Sequence, residues 1–223
     1  MPFNDRQDAG RRLAKALAHH RNEDVVVLAL PRGGVPVAAE VAAALHAPLD
    51  LVLVRKIGAP FQEELAMGAV ADSGGEPFTV RNEDVIAMLG VDDPTFAAVR
   101  SRELKEIERR RAAYLGGRMP IDLAGRVAIV VDDGVATGAT TRAALRAVRA
   151  RRPARLVLAV PVAPDDVIAD LRAEVDELVC LESHAQFGAI GFYYADFRQL
   201  ADHEVTDALA RFARSEELKG GPA

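Results

Sequence analysis

Residues 127–140 read VAIVVDDGVATGAT, and the order of residue types in this stretch decides the fold. The apolar run 127–131 has the length of a strand buried on both faces, which is the pattern of a parallel sheet. Two acids follow, then a small-residue loop with Gly134 and Gly138, then a helix-forming stretch from Ala139. The glycines let the backbone turn sharply and bare its amides, and Thr137, Thr140 and Thr141 add hydroxyls around a helix N-terminus. Gly134, Val135, Ala136, Thr137, Gly138, Ala139, Thr140 and Thr141 thus read as a cradle for a phosphate. No lysine stands in it and the GxxxxGK[ST] spacing is absent, which favours a phosphate monoester over a triphosphate tail. On a straight strand Asp132 and Asp133 would point to opposite faces, so only the bend at Gly134 brings both to one ligand, where they suit sugar hydroxyls. The plainer alternative is a pair that caps the turn and the helix behind it.

Working outward, the same rhythm recurs. A helix is expected over 11–20, a buried strand over 25–30, a tight loop at Pro31-Arg32-Gly33-Gly34, a helix over 37–45 and a second buried strand over 49–54. Beyond 127–131 come a helix at 139–150, a strand at 156–160, a helix at 164–173 and a strand at 178–181. This alternation predicts an α/β fold with a doubly wound, mostly parallel sheet and helices on both faces. Residues 1–223 read as one domain, with 55–117 as a lid or hood insertion and 183–223 as a C-terminal hood and helix. The first part of the insertion reads as a loop and short strands, and 94–115 as an amphipathic helix ended by Gly116 and Gly117.

Composition narrows the class. The chain has 223 residues, a formal net charge of −5 and a single cysteine. The acidic balance argues against a nucleic-acid partner, and the arginines at 142–155 and 109–111 read as solvated helix faces. No apolar run approaches the roughly 18 residues of a membrane-spanning helix. With no secretory signal pattern and a lone Cys180 in an apolar setting, a soluble cytoplasmic protein is expected. None of His19, His20, His46 and His203 has ligand spacing to another site histidine, so surface roles are expected for them and no metal held mainly by protein side chains.

In an open parallel sheet, ligands sit outside the carboxyl ends of the strands. Pro31, Arg32, Gly33 and Gly34 follow the first strand there, and the cations Arg55 and Lys56 follow the second at the same ligand-bearing edge. After the last strand, 183–197 reads SHAQFGAIGFYYADF. Phe187, Phe192, Tyr193 and Tyr194 there suit stacking on a flat base, or filling of the hood's core.

The stretch VAIVVDDGVATGAT resembles the 5-phosphoribosyl-1-pyrophosphate motif of type I phosphoribosyltransferases, and the order of elements extends the resemblance to most of the chain. The resemblance implies that Asp132 and Asp133 contact the ribose hydroxyls, that 136–141 hold the 5-phosphate, and that Pro31 to Gly34, with Arg55 and Lys56, bind pyrophosphate. It implies transfer of the phosphoribosyl group to a nitrogenous base or related acceptor, with Asp132, Asp133, Arg55 and Lys56 at the reacting centre. It also implies a mobile loop over 55–75 that closes on the reacting centre, a Mg²⁺ ion bridged by the substrate, a homodimer and a place in nucleotide metabolism. The stretch 183–197 departs from the familiar acceptor motifs, which leaves the acceptor open. A regulatory protein that binds ribose phosphate without turnover, or a hydrolase or phosphorylase of ribose phosphates, are the competing readings.

Overall fold

A computed structural model describes residues 2–74 and 76–219; residue 75 of the expected insertion and residues 220–223 of the expected C-terminal segment lie outside the described residues. In chain order the elements are α1 (Arg6–Ala16), β1 (Val25–Ala29), α2 (Gly34–Leu45), β2 (Leu49–Leu51), β3 (Leu53–Ala59), β4 (Gln62–Asp72), β5 (Phe78–Arg81), α3 (Glu83–Leu89) and α4 (Asp93–Leu115). They continue with β6 (Val127–Val131), α5 (Ala139–Ala150), β7 (Arg155–Pro164), α6 (Asp165–Leu171), β8 (Glu177–His184) and α7 (Asp202–Lys219).

Five strands form one sheet in the order β2-β1-β6-β7-β8, every pair parallel. Its central strands are buried along their whole length because each face carries helices. Val25, Val27, Ala29, Ile129, Val131, Val157 and Ala159 pack on one side with Leu13, Leu17, Val37 and Val41. The alternate residues Val26, Leu28, Ala128, Val130, Leu156 and Leu158 pack on the other with Ala144, Leu145, Val148, Ile168 and Leu171. A two-residue period on the strands therefore feeds two cores, each buried Val or Leu contributing about 1.5–3 kcal/mol. The doubly wound parallel sheet expected from the sequence is the one observed. From β1 the chain runs outward to β2, then returns to lay β6 on the other flank of β1. That reversal opens a crevice at the carboxyl ends of β1 and β6, where the two glycine-bearing loops lie.

The insertion differs from its expected form. The strand expected over 49–54 breaks at Val52, and the chain continues as β3 into a separate antiparallel sheet, β3-β4-β5. Leu53 pairs with Asp72 and Ala59 with Gln62, so 55–72, expected as part of a mobile loop, form a strand hairpin. Arg55 and Lys56 consequently sit within a strand of this hood, not at the end of a strand of the main sheet. Alanine explains both the misreading and the packing. Ala69 and Ala71 on the hood lie against Ala143 and Ala147 of α5, a contact of weak β-formers that only tertiary packing stabilises. The other side of the hood sheet packs on α4, where Phe96 and Ile107 share a core with Ile57, Met67 and Val70.

Helix ends follow their caps. Asp92 accepts a hydrogen bond from the Thr95 amide at the start of α4, and Gly116 at φ 56° closes it. Asp5 accepts from the Asp8 amide, which starts α1 at Arg6, well before the expected residue 11. No described helix is long and apolar enough to cross a membrane.

Candidate functional site

The two crevice loops touch. The Leu30 amide donates to the Val131 carbonyl at 3.0 Å, extending the β1–β6 ladder, and the Gly34 amide turns back to donate to the Leu30 carbonyl. The Pro31–Arg32 peptide is cis. A Cβ at Gly33 would fall 2.0 Å from Asp133 Oδ2, and one at Gly34 would fall 2.7 Å from the Val131 carbonyl and 2.9 Å from the Asp132 Cα. Both glycines are therefore required for the first loop to lie against the acidic pair.

The aspartates have different surroundings. Asp133 is 7% exposed, and its Oδ2 accepts a 2.7 Å hydrogen bond from Arg6 Nε. Arg6 also donates to the Arg198 carbonyl, and its guanidinium lies 3.9 Å over the Phe197 ring. The Tyr194 hydroxyl donates to the Asp133 carbonyl at 2.6 Å, and burial raises that phenol far above its ordinary pKa. Asp132 is half-buried, and its Oδ1 accepts from the Asp133 amide at 2.9 Å. Burial, and then the neighbouring Asp133 charge, push the Asp132 carboxyl well above the usual range. Burial also raises Asp133, opposed by the Arg6 hydrogen bond.

Beyond them, Gly134 lies under Ile190, whose Cγ2 would stand 2.7 Å from a Cβ there. The Val135 amide donates to the Val162 carbonyl at 2.9 Å, tying the loop to β7. Ala136, Thr137, Ala139 and Thr140 are exposed, whereas Thr141 is buried. Gly138 stands at φ 76° as the residue before α5, and no side chain caps that helix start. The first amides of α5 thus sit beside an exposed loop of small residues, which suits an anion.

Other expected site residues are scattered by the hood. Lys56 lines a cleft of about 410 Å³ between the hood and α5, together with Ala139, Thr140 and Arg142. Arg55, on the opposite face of the same strand, pairs with the buried Glu103 of α4 at 2.9 Å. Arg32 lies 3.6 Å from Asp202 at the start of α7. Tyr193 stacks between Phe187 and His184, with centroids 4.9 and 4.6 Å away, while Phe192 is 78% exposed. Cys180 is raised to about 11 by burial, which marks it as a packed thiol. The arginines of α5 are engaged: Arg146 with Glu174 and Arg149 with Asp176. Arg6 went unseen in the sequence, because it stands in a stretch with no apolar period to mark it, and Tyr194, expected among the stacking aromatic residues of 183–197, instead donates its hydroxyl to the Asp133 carbonyl.

The family model described as phosphoribosyl transferase domain matches residues 4–196. Two Mycobacterium tuberculosis proteins, from strains CDC 1551 and H37Rv and provisionally named phosphoribosyl transferases, are 49% identical to the chain over 212 residues. The match covers 95% of this chain and 47% of theirs, so the chain spans about half the length of these curated relatives. The crystal structure of TT1426 from Thermus thermophilus superposes with a TM-score of 0.81 at 41% identity, covering 95% of this chain and 99% of that one. With the doubly wound sheet, the paired loops at its crevice and a family match along most of its length, the chain belongs to the phosphoribosyl transferase domain family.

Proposed function

We propose that the protein transfers the 5-phosphoribosyl group of 5-phosphoribosyl-1-pyrophosphate to a nitrogenous base or related acceptor, releasing pyrophosphate. One observation carries this reading: the Pro31–Gly34 loop lies directly against Asp132 and Asp133, with the exposed start of α5 beside them at one crevice. In the reaction the acceptor nitrogen bonds to ribose C1 as the C1–oxygen bond to pyrophosphate breaks. Such a step needs positioning, neutralisation of the leaving group and exclusion of water rather than a protein nucleophile. Residues 136–141 hold the 5-phosphate through amides and threonine hydroxyls. Asp132 accepts from the ribose hydroxyls, while Asp133, gripped by Arg6, fixes the loop. Arg32 and Lys56 face the pyrophosphate, and exposed Phe192, backed by the Phe187–Tyr193 stack, receives the acceptor. Arg55, held by Glu103, has no part in this assignment.

The donor set around the crevice is made of carboxylate and hydroxyl oxygens, which fits Mg²⁺. Bound through the substrate, that ion supplies charge neutralisation at the leaving pyrophosphate. Residues 1–223 as one domain, with hood segments at 55–117 and 183–223, a cytoplasmic location and a homodimer belong to the same proposal.

A second reading is favoured by the Arg6–Asp133 pair: with one carboxylate already engaged, the site suits a protein that binds ribose phosphate without turnover. Both readings are tested by incubating the protein with Mg²⁺, 5-phosphoribosyl-1-pyrophosphate and a panel of bases. Pyrophosphate release that depends on one base supports transfer; binding without release supports the second reading. Absence of any binding defeats both.

A further inference from the structure

At the opposite edge of the sheet from the crevice, at the start of β8, a cluster of imidazoles and carboxylates is unexplained by ribose-phosphate chemistry. His20 is 0% exposed, although the sequence places it on the surface. Its Nδ1 meets the Glu23 carboxylate, and its Nε2 lies 3.2 Å from Glu177 Oε2. That buried Nε2 makes no hydrogen bond. His19 Nε2 lies 2.8 Å from Glu177 Oε1, and the ligand atoms of His19, His20 and Glu177 all fall within 4.8 Å of one another.

With Glu23 accepting the Nδ1 proton, the Nε2 lone pair of His20 faces a carboxylate oxygen, and two acceptors at that distance require something positive between them. The outer carboxylate on Nδ1 is the arrangement that fixes the tautomer of a metal-ligating histidine. Charge points the same way. Among the described residues Glu23 and Glu177 share one arginine, Arg155, which donates to both and leaves net negative charge around a buried imidazole. Ligand arms of about 2.0–2.1 Å in a tetrahedron set donor atoms about 3.3 Å apart, near the 2.8 and 3.2 Å that separate the two Glu177 oxygens from His19 and His20.

We infer that His19 Nε2, His20 Nε2 and Glu177 Oε1 bind a zinc-class divalent ion that clamps the end of the first helical segment to the edge strand β8, with Glu23 as positioning residue. Nitrogen and oxygen donors of this kind suit Zn²⁺ over Mg²⁺. The ion replaces the proton shared between His19 and Glu177, and solvent fills the fourth position beside His19, whose side chain is 52% exposed.

The test uses the full chain without a histidine tag, stripped with chelator and titrated with Zn²⁺ alone by calorimetry. One ion per chain and a raised Tm are expected, and zinc absorption spectra should count two imidazoles. His19→Ala and Glu177→Gln should each weaken binding by on the order of ten-fold or more, as should Glu23→Gln. His19→Cys, which keeps a zinc ligand, should retain binding. No saturable binding to the wild-type chain overturns the proposal. Binding left unchanged by combining His19→Ala with Glu177→Gln overturns it too, since the ion then sits elsewhere, for example at Asp132.

Discussion

Asp132 and Asp133 are adjacent, yet the same substitution should act on them with opposite signs. Asp132 has its folded pKa raised by burial and by a like charge, so its contribution to stability is present at low pH and lost as pH rises through that raised value. Asp132→Asn mimics the neutral form. It should raise Tm at pH 7 by roughly 2–4 °C, the shift that about 1 kcal/mol makes in a domain of this size, and the gain should vanish below the usual aspartate range. Asp133 also sits above its usual range, but asparagine there strands Arg6, whose guanidinium cannot shed its proton. Asp133→Asn should therefore destabilise by about 3–5 kcal/mol in urea unfolding. Both variants should lose ribose 5-phosphate binding. A Tm gain in Asp133→Asn would show that Arg6 is not the group that holds it. At this scale the acids and the glycines beside them were legible, because loop chemistry is written in adjacent residues. Arg6 was not, since it reaches Asp133 across 127 positions of the chain.

The hood and α5 meet through methyl groups, and that contact sets the width of the cleft containing Lys56 and Thr140. Ala71 is fully buried there. Ala71→Leu should overpack the contact, costing about 1–3 kcal/mol, lowering the urea midpoint and displacing the hood from α5. Phe61→Ala, at the fully exposed tip of the hairpin, should stay within about 0.5 kcal/mol. Equal midpoints for the two variants would mean that the alanine contact is not tight. Element types were legible where a period was long: α4 and α5 fall close to their expected bounds, and β6 matches its own. The hairpin was not, because QEELAMGAVAD in β4 carries glycine and alanines that have no preference for a strand outside this packing.

For the molecule as a whole, ligand linkage provides the broadest check. Ribose 5-phosphate at one hundred times its Kd should stabilise the folded chain by about 2.7 kcal/mol and raise Tm by roughly 5–10 °C. The shift should be absent when Asp132 and Asp133 are both asparagine, and present when His19 is alanine, because the two edges of the sheet serve separate sites. A shift that survives loss of both acids would place the phosphate elsewhere.

The sequence by itself determined the parallel sheet, the alternation of its strands with helices and the loops at its carboxyl edge. Continuous apolar runs bounded by glycine and acid admit few other folds, and the ligand-bearing edge follows from strand direction alone. Only the tertiary structure decided that Arg6 engages Asp133, that Arg55 turns to Glu103 while Lys56 faces α5, and that His20 is buried against Glu177. These are contacts between segments distant in the chain, and no local period or propensity encodes them; they arise when two cores close and bring their charged margins together.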